Sequence, residues 1–167
     1  MTTLATYSPE DVTILVAGVI PITGLAAGSF LTISKNLQPF TTQRTSDGQV
    51  ARLYNNDRTY SISLTLHSTA ESNDVLTKLS LVDQTFLVGK FPLLIKDTKG
   101  TSFFFSTTTW IEGEPDQEFS DEITTRTWTL RSSQAVTNIG SNVEPSGMMD
   151  DLINTVMAAA PIIGGLL

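Results

Sequence analysis

The cleanest alternation in the chain runs over residues 59–67, where Tyr60, Ile62, Leu64 and Leu66 interleave with Thr59, Ser61, Ser63, Thr65 and His67. A period of two places the apolar set on one face, so the segment predicts a strand with one wet side. The spacing then becomes helical: Val75, Leu76, Leu79 and Val82 recur at three- and four-residue steps, Ser68 or Thr69 can cap the start, and Glu71 falls in the first turn. One helix covering a sheet is the implication. Two β-rich runs at 91–96 and 102–110 flank Asp97-Thr98-Lys99-Gly100, which predicts a hairpin. Within it Phe103 and Phe105 share one face and Phe104 takes the other. Strand material returns at 124–131 and 135–139.

Near the start, residues 12–22 are rich in β-branched side chains and broken by Gly18, which predicts a short hairpin. Both of its faces are apolar, so Val12, Ile14, Val16, Val19 and Ile20 are candidates for contact with another subunit. Residues 30–34 read as a strand, after which 35–56 turn polar and irregular around Asp47-Gly48, a pair suited to a hairpin turn. A stretch of that length without packing of its own is a functional loop or a disordered one. We read it as an extended arm with Arg44, Asp47, Gly48 and Arg52 as contact candidates. Past Gly147, the residues Met148, Met149, Leu152, Ile153, Val156, Met157 and Ala160 fall on one helical stripe.

Strands, one helix and more strands is not βαβ alternation. The expected fold is mainly β: an antiparallel β-sandwich or open barrel with one flanking α-helix, a long hairpin arm and a C-terminal helical segment. Residues 1–145 form the β domain and 146–167 the amphipathic helical segment. A length of 167 residues with 40% hydrophobic content suits one domain with a real core. Only 16% of residues are charged, and 17 acidic against 10 basic residues give a net charge of -7. That sign opposes tight nucleic-acid binding and suits a surface that DNA passes without adsorbing. The absence of cysteine excludes disulfides, thiol nucleophiles and Cys-ligated metals. Residues 1–11 show no secretory signal, which implies residence in a cytoplasm, and 152–167 are too short and interrupted for a membrane span.

Candidate chemistry is sparse. Glu112, Glu114, Asp116, Glu118, Asp121 and Glu122 form the densest charge, but they lack the spacing of a calcium loop. They read as a solvated loop, a lumen-facing surface or a contact between subunits. His67 is the only histidine and no nucleophile elbow or phosphate loop is present, so no catalytic residue, metal site or cofactor is expected. The basic arm, with Lys35, Arg44, Arg52 and Arg58 in an acidic chain, has the charge asymmetry of head-to-tail stacking.

Four runs carry a resemblance: Tyr-Ser-Pro-Glu-Asp-Val-Thr-Ile-Leu-Val-Ala-Gly-Val-Ile-Pro-Ile-Thr-Gly-Leu (7–25), Asp-Gly-Gln-Val-Ala-Arg-Leu-Tyr-Asn-Asn-Asp (47–57), Gly-Lys-Phe-Pro-Leu-Leu-Ile-Lys-Asp (89–97) and Phe-Phe-Ser-Thr-Thr-Thr-Trp-Ile-Glu-Gly (104–113). Together they resemble the tail-tube proteins of contractile-tailed bacteriophages across roughly residues 5–143. The resemblance implies a structural subunit, six copies to a ring, with rings stacked into a tube that carries DNA. It further implies a surrounding sheath protein, baseplate and tail-terminator partners at the ends, assembly in the bacterial cytoplasm and residence in the virion tail. Two other classes compete: a carbohydrate-binding β-sandwich on a virion or cell surface, which requires an exposed aromatic platform, and a hydrolase using Glu112 or Glu114.

Overall fold

The computed structural model describes residues 5–142 and 153–159. A 3-10 turn at Pro9–Asp11 leads into β1 (Val12–Val16), which folds back as the two-residue β2 (Ile20–Pro21). Ala17 and Gly18 both have positive φ at this reversal, so the turn needs the glycine the sequence supplies. Next come β3 (Leu31–Lys35), β4 (Phe40–Arg44), β5 (Val50–Tyr54) and β6 (Tyr60–His67). Helix α1 (Ser72–Phe86) precedes β7 (Phe91–Asp97), β8 (Phe103–Gly113), β9 (Thr125–Ser132) and β10 (Val136–Asn138). The expected mainly β architecture is what forms: one antiparallel eight-stranded sheet in the order β2-β1-β7-β8-β9-β6-β3, with β10 paired to β8, and a separate sheet of β4 and β5.

The large sheet curls but does not close. Alternation along β6 sends Ile62, Leu64 and Leu66 inward beside Trp128 and Leu130 of β9. Ile14 and Val16 of β1, Leu93 and Ile95 of β7 and Phe104 of β8 join the same cluster. Curvature brings the Tyr60 ring edge-on to Phe104, with centroids 5.5 Å apart, although β9 separates their strands. Between β3 and the β1–β7 side a cleft of about 550 Å³ stays open, lined by Leu31, Ile33, Val12 and Ile95. Irregular register at Phe91/Leu93 and at Ile111/Gly113 marks two bulges, which bend strands locally and raise their twist.

Helix α1 departs from expectation at its start. Neither Ser68 nor Thr69 caps it; the helix begins at Ser72, and Glu71 at the N-cap makes no side-chain cap hydrogen bond. Residues 67–71 instead form a tight turn in which Ala70 N–H donates to His67 O at 3.0 Å. Asn73 anchors that turn. Its Nδ2 donates to the carbonyls of His67 (2.9 Å) and Ala70 (3.1 Å), while its Oδ1 accepts from Trp128 Nε1 at 2.9 Å in the core. Ser72 Oγ accepts the Thr23 N–H at 2.8 Å, tying the segment after β2 to the same point. These polar anchors rotate the buried face of α1 to Ser72, Asn73, Leu76 and Ser80, leaving Val82 exposed despite its place on the predicted stripe.

The triple phenylalanine also buries more than alternation implies. Phe104 is 1% exposed and Phe103 is buried on the opposite face, where Ile153 and Asn154 line a small pocket with it. Residues 153–159 are helical, with Ile153, Val156 and Ala159 half-buried along one stripe. Met148, Met149, Leu152 and Ala160 of the predicted stripe lie outside the described residues.

Candidate assembly surfaces

Strand polarity divides the sheet into two ends. Lys35 pairs with Tyr60, and Tyr60 with Ser132, so the β3–β6 connection leaves from one end. His67 pairs with Thr125 at the other. The β6–β7 connection through α1 and the β8–β9 loop at 114–124 both belong to this second end, because β7 and β9 begin where β6 and β8 finish in an antiparallel ladder.

The β3–β6 connection is the arm. Strands β4 and β5 pair in register from Phe40↔Tyr54 to Arg44↔Val50, and every residue of both is exposed. Directly opposed residues share a face, so Phe40, Tyr54, Thr42, Arg52, Arg44 and Val50 lie on one side and Thr41, Leu53, Gln43 and Ala51 on the other. The first side is aromatic and basic: Phe40 and Tyr54 are 5.5 Å apart, and the Arg52 guanidinium lies 4.4 Å from the Phe40 ring centre. At the tip Gly48 takes φ 85, and Asp47 accepts from the Thr45 hydroxyl, which holds its carboxyl below the usual range. At the base Asn55 N–H donates to Pro39 O at 2.8 Å, closing the arm's two ends on each other. A two-stranded hairpin bared on both faces is marginal in water by itself.

Below that base, Asp57 Oδ1 accepts from the Thr59 hydroxyl (2.7 Å) and the Thr59 N–H (2.8 Å). These bonds hold its carboxyl below the ordinary range, with weaker help from Arg131 and Lys35. Because the folded value is lowered, the contribution of this turn is complete above the ordinary carboxylate pKa of about 3.9 and is lost as pH falls through the folded value beneath it. A carbon-detected NMR titration should place the Asp57 midpoint below the ordinary value in the parent chain and raise it toward that value in Thr59→Ala, which loses the hydroxyl bond but keeps the backbone N–H. Equal midpoints would remove the assigned cause.

At the opposite end the acidic residues divide. Glu112 forms an ion pair with Arg131, and Glu114 Oε1 accepts from the Ser80 hydroxyl and from Gln84 Nε2 at 2.9 Å, fastening the loop to α1. Asp116, Glu118, Asp121 and Glu122 are exposed and form no ion pair among the described residues. Beside them in sequence Phe119 is 85% exposed and Ile123 is exposed as well. Helix α1 ends at this same end in Phe86, Leu87 and Val88, all exposed. Leu87 is 79% exposed and sits in the left-handed region at φ 58, where a residue with a side chain pays roughly 1 kcal/mol relative to glycine.

Of the hairpin residues singled out in the sequence, Ile14 and Val16 lie in the chain's own core. Val12 and Ile20 are half-buried, and Val19 at the turn is 77% exposed. Sequence reasoning passed over Phe40, Tyr54, Phe119 and the Phe86-Leu87-Val88 run. The last carried a signal: three consecutive apolar residues at the end of a helix cannot share one buried stripe. Among the described residues no three acidic or histidine side chains are grouped to hold a metal ion, and no helix is long and apolar enough to cross a membrane.

An open curled sheet with one helix across it and a bared two-stranded arm is an architecture that presents strand edges and apolar surface outward. The same fold occurs in the anti-feeding prophage tube-terminating cap (TM-score 0.58, 14% identity, 83% of this chain and 94% of that one). It also occurs in the sheath/tube terminator of an extracellular contractile injection system (TM-score 0.53, 14% identity, 82% and 99%) and in a protein of a gene transfer agent virion (0.53, 13%, 80% and 99%). No family model matches the chain. In sequence it is 30% identical over 159 residues to "Structural protein ORF10" of Pseudomonas phage KPP10, covering 91% of this chain and 92% of that protein. The chain belongs to that family of phage structural proteins, and its place is in the virion.

Proposed function

We propose that the chain is a tail-tube subunit that assembles with copies of itself into rings, six to a ring, stacked around a conduit for DNA. A contractile sheath surrounds the tube in this reading, and baseplate and terminator proteins cover its ends. The observation that carries it is the arm: a paired hairpin with both faces bare, held away from a sheet that ends unclosed at β3. Identical copies arranged in a ring can cover the β3 edge and the cleft beside it, because a strand edge satisfies its free backbone groups by pairing with another chain. The net charge of -7 accords with a lumen that repels DNA. The exposed side of the hairpin turn at Val19 and the outer parts of Val12 and Ile20 then add to the contact between neighbours. The carbohydrate-binding alternative needs coplanar exposed aromatics; the arm's Phe40 and Tyr54 are instead tilted by 49° to each other, and Arg52 overlies the Phe40 ring.

Negative-stain electron microscopy of the purified full chain, over rising concentration and at low salt, tests the reading. Rings that stack into tubes are expected. Single rings that never stack would assign the role of a terminator, and particles that stay monomeric throughout would reject self-assembly altogether.

A further inference from the structure

Beyond the pair Arg44↔Val50 the arm reverses through Ser46, Asp47 and Gly48. Thr45 N–H donates to Gln49 O at 2.9 Å and Gly48 N–H to Thr45 O at 3.0 Å, with Gly48 left-handed at φ 85, as hairpin loops of this length require of their last residue. A Cβ at Gly48 would meet no atom within 4 Å, so backbone conformation and not space demands the glycine. That demand brings a chemical liability. Without a Cβ beside it the Gly48 nitrogen is unshielded, both residues of the pair are exposed, and no other aspartate or asparagine of the sequence precedes a glycine. The reaction open to such a pair is attack of the Gly48 nitrogen on Cγ of Asp47. A C–N bond forms, a carboxyl C–O bond breaks, and the amide proton leaves with the hydroxyl as water. The five-membered imide then takes up water at either carbonyl. One opening restores aspartate; the other gives isoaspartate, whose backbone runs through Cβ and Cγ, with no net change in atoms.

Thr45 holds both reacting groups. Its carbonyl accepts the Gly48 N–H, and its hydroxyl donates to the Asp47 carboxyl. The hydroxyl also lies 3.2 Å from Gln49 O, but it has one proton and a carboxylate is the stronger acceptor. The bonded carboxyl is held below its usual range and so stays ionised, the form that loses an oxygen less readily. We propose that Asp47-Gly48 is this chain's site of imide formation and backbone isomerisation, and that Thr45 restrains the reaction by holding the nitrogen and the carboxyl at once. Ring closure takes the proton that Thr45 O holds and moves the carboxyl that the hydroxyl holds, so both bonds break before it. Thr45 is a positioning residue, since none of its atoms enters the imide. Conversion adds one backbone atom inside the loop that closes the arm, next to the last registered pair. The site belongs to a single chain and stands whether or not copies assemble.

Folded full-length chain aged in warm neutral buffer and then cut with trypsin tests it. Cleavage after Arg44 and Arg52 releases residues 45–52 with the site inside. Isoaspartate leaves the mass of that peptide unchanged and is counted by its separate elution and its fragmentation. The same peptide aged free in solution supplies the unrestrained rate, and backbone amide shifts of residues 40–54 verify that the arm stays paired in each variant. Conversion in the parent chain is expected to be many-fold slower than in the free peptide. It should rise several-fold in Thr45→Val, part of the way to the peptide's rate because the carbonyl bond remains, and stay at the parental rate in Thr45→Ser, which keeps the hydroxyl. A parent chain that converts as fast as the free peptide would overturn the restraint. So would a Thr45→Val chain with a paired arm that converts no faster than the parent, or a Thr45→Ser chain as fast as Thr45→Val. Isoaspartate appearing first at another residue would overturn the site.

Discussion

Asn73→Ala should lower the free energy of unfolding by about 1–3 kcal/mol, the cost of one buried polar group left without a partner. The substitution strands the Trp128 indole N–H in the core and removes the side-chain donor to the His67 carbonyl, which keeps the Ala70 N–H. It acts through geometry as well as through lost bonds, because the same side chain sets where α1 begins and which of its faces meets the sheet. Urea unfolding of purified protein under conditions that keep it monomeric measures the effect as a shift in midpoint at constant slope. Trp128→Phe in the Asn73→Ala background should add less than it does in the parent, since the donor orphaned by the first change is then removed. Full additivity of the two would show that the indole bond does not hold the helix.

Excising the arm should have the reverse profile, with stability kept and assembly lost. Residues 40–54 contribute no buried side chain, and Pro39 and Asn55 are already joined by a backbone hydrogen bond, so a short Gly-Ser link can replace them with little change in chain closure. The free energy of unfolding is expected to move by no more than about 0.5 kcal/mol, the range of surface changes. Ring stacking in the electron microscope is expected to disappear. A shortened chain that still builds tubes of parental length would show that the arm does not join one ring to the next.

Local pattern was enough wherever one face of an element is simply wet and the other dry. The alternation of residues 59–67 became β6 at Tyr60–His67, the turn at 97–100 joined β7 to β8, and Asp47-Gly48 stands at the tip of a real arm. Each rests on a period of two or on a turn chemistry that needs no knowledge of the rest of the chain. The same logic failed at α1. Ser68 and Thr69 are sound caps by type, but an asparagine five residues downstream of Ser68 reaches back to the turn and across to Trp128, 55 residues away. A side chain bonded at that separation overrides local capping preference, and nothing in the adjacent residues announces it. The cost of the rotated face falls on Val82, which is left in water.

By itself, then, the order of residues determined an antiparallel mainly β domain with one helix, a basic arm in an acidic chain and a fold without cysteine chemistry, because periodicity, turn preference and net charge are properties of neighbours and sums. Only the tertiary structure decided which apolar residues are used up. Ile14 and Val16, equally suited to an outside contact in the sequence, enter the chain's own core, while Leu87 and Phe119, not singled out in the sequence, are left bare. Burial depends on which strands become neighbours and on how far the sheet curls before it stops. For the same reason the opposite placement of arm and acidic loop could be read only from strand polarity, since antiparallel pairing across distant segments decides at which end each connection emerges.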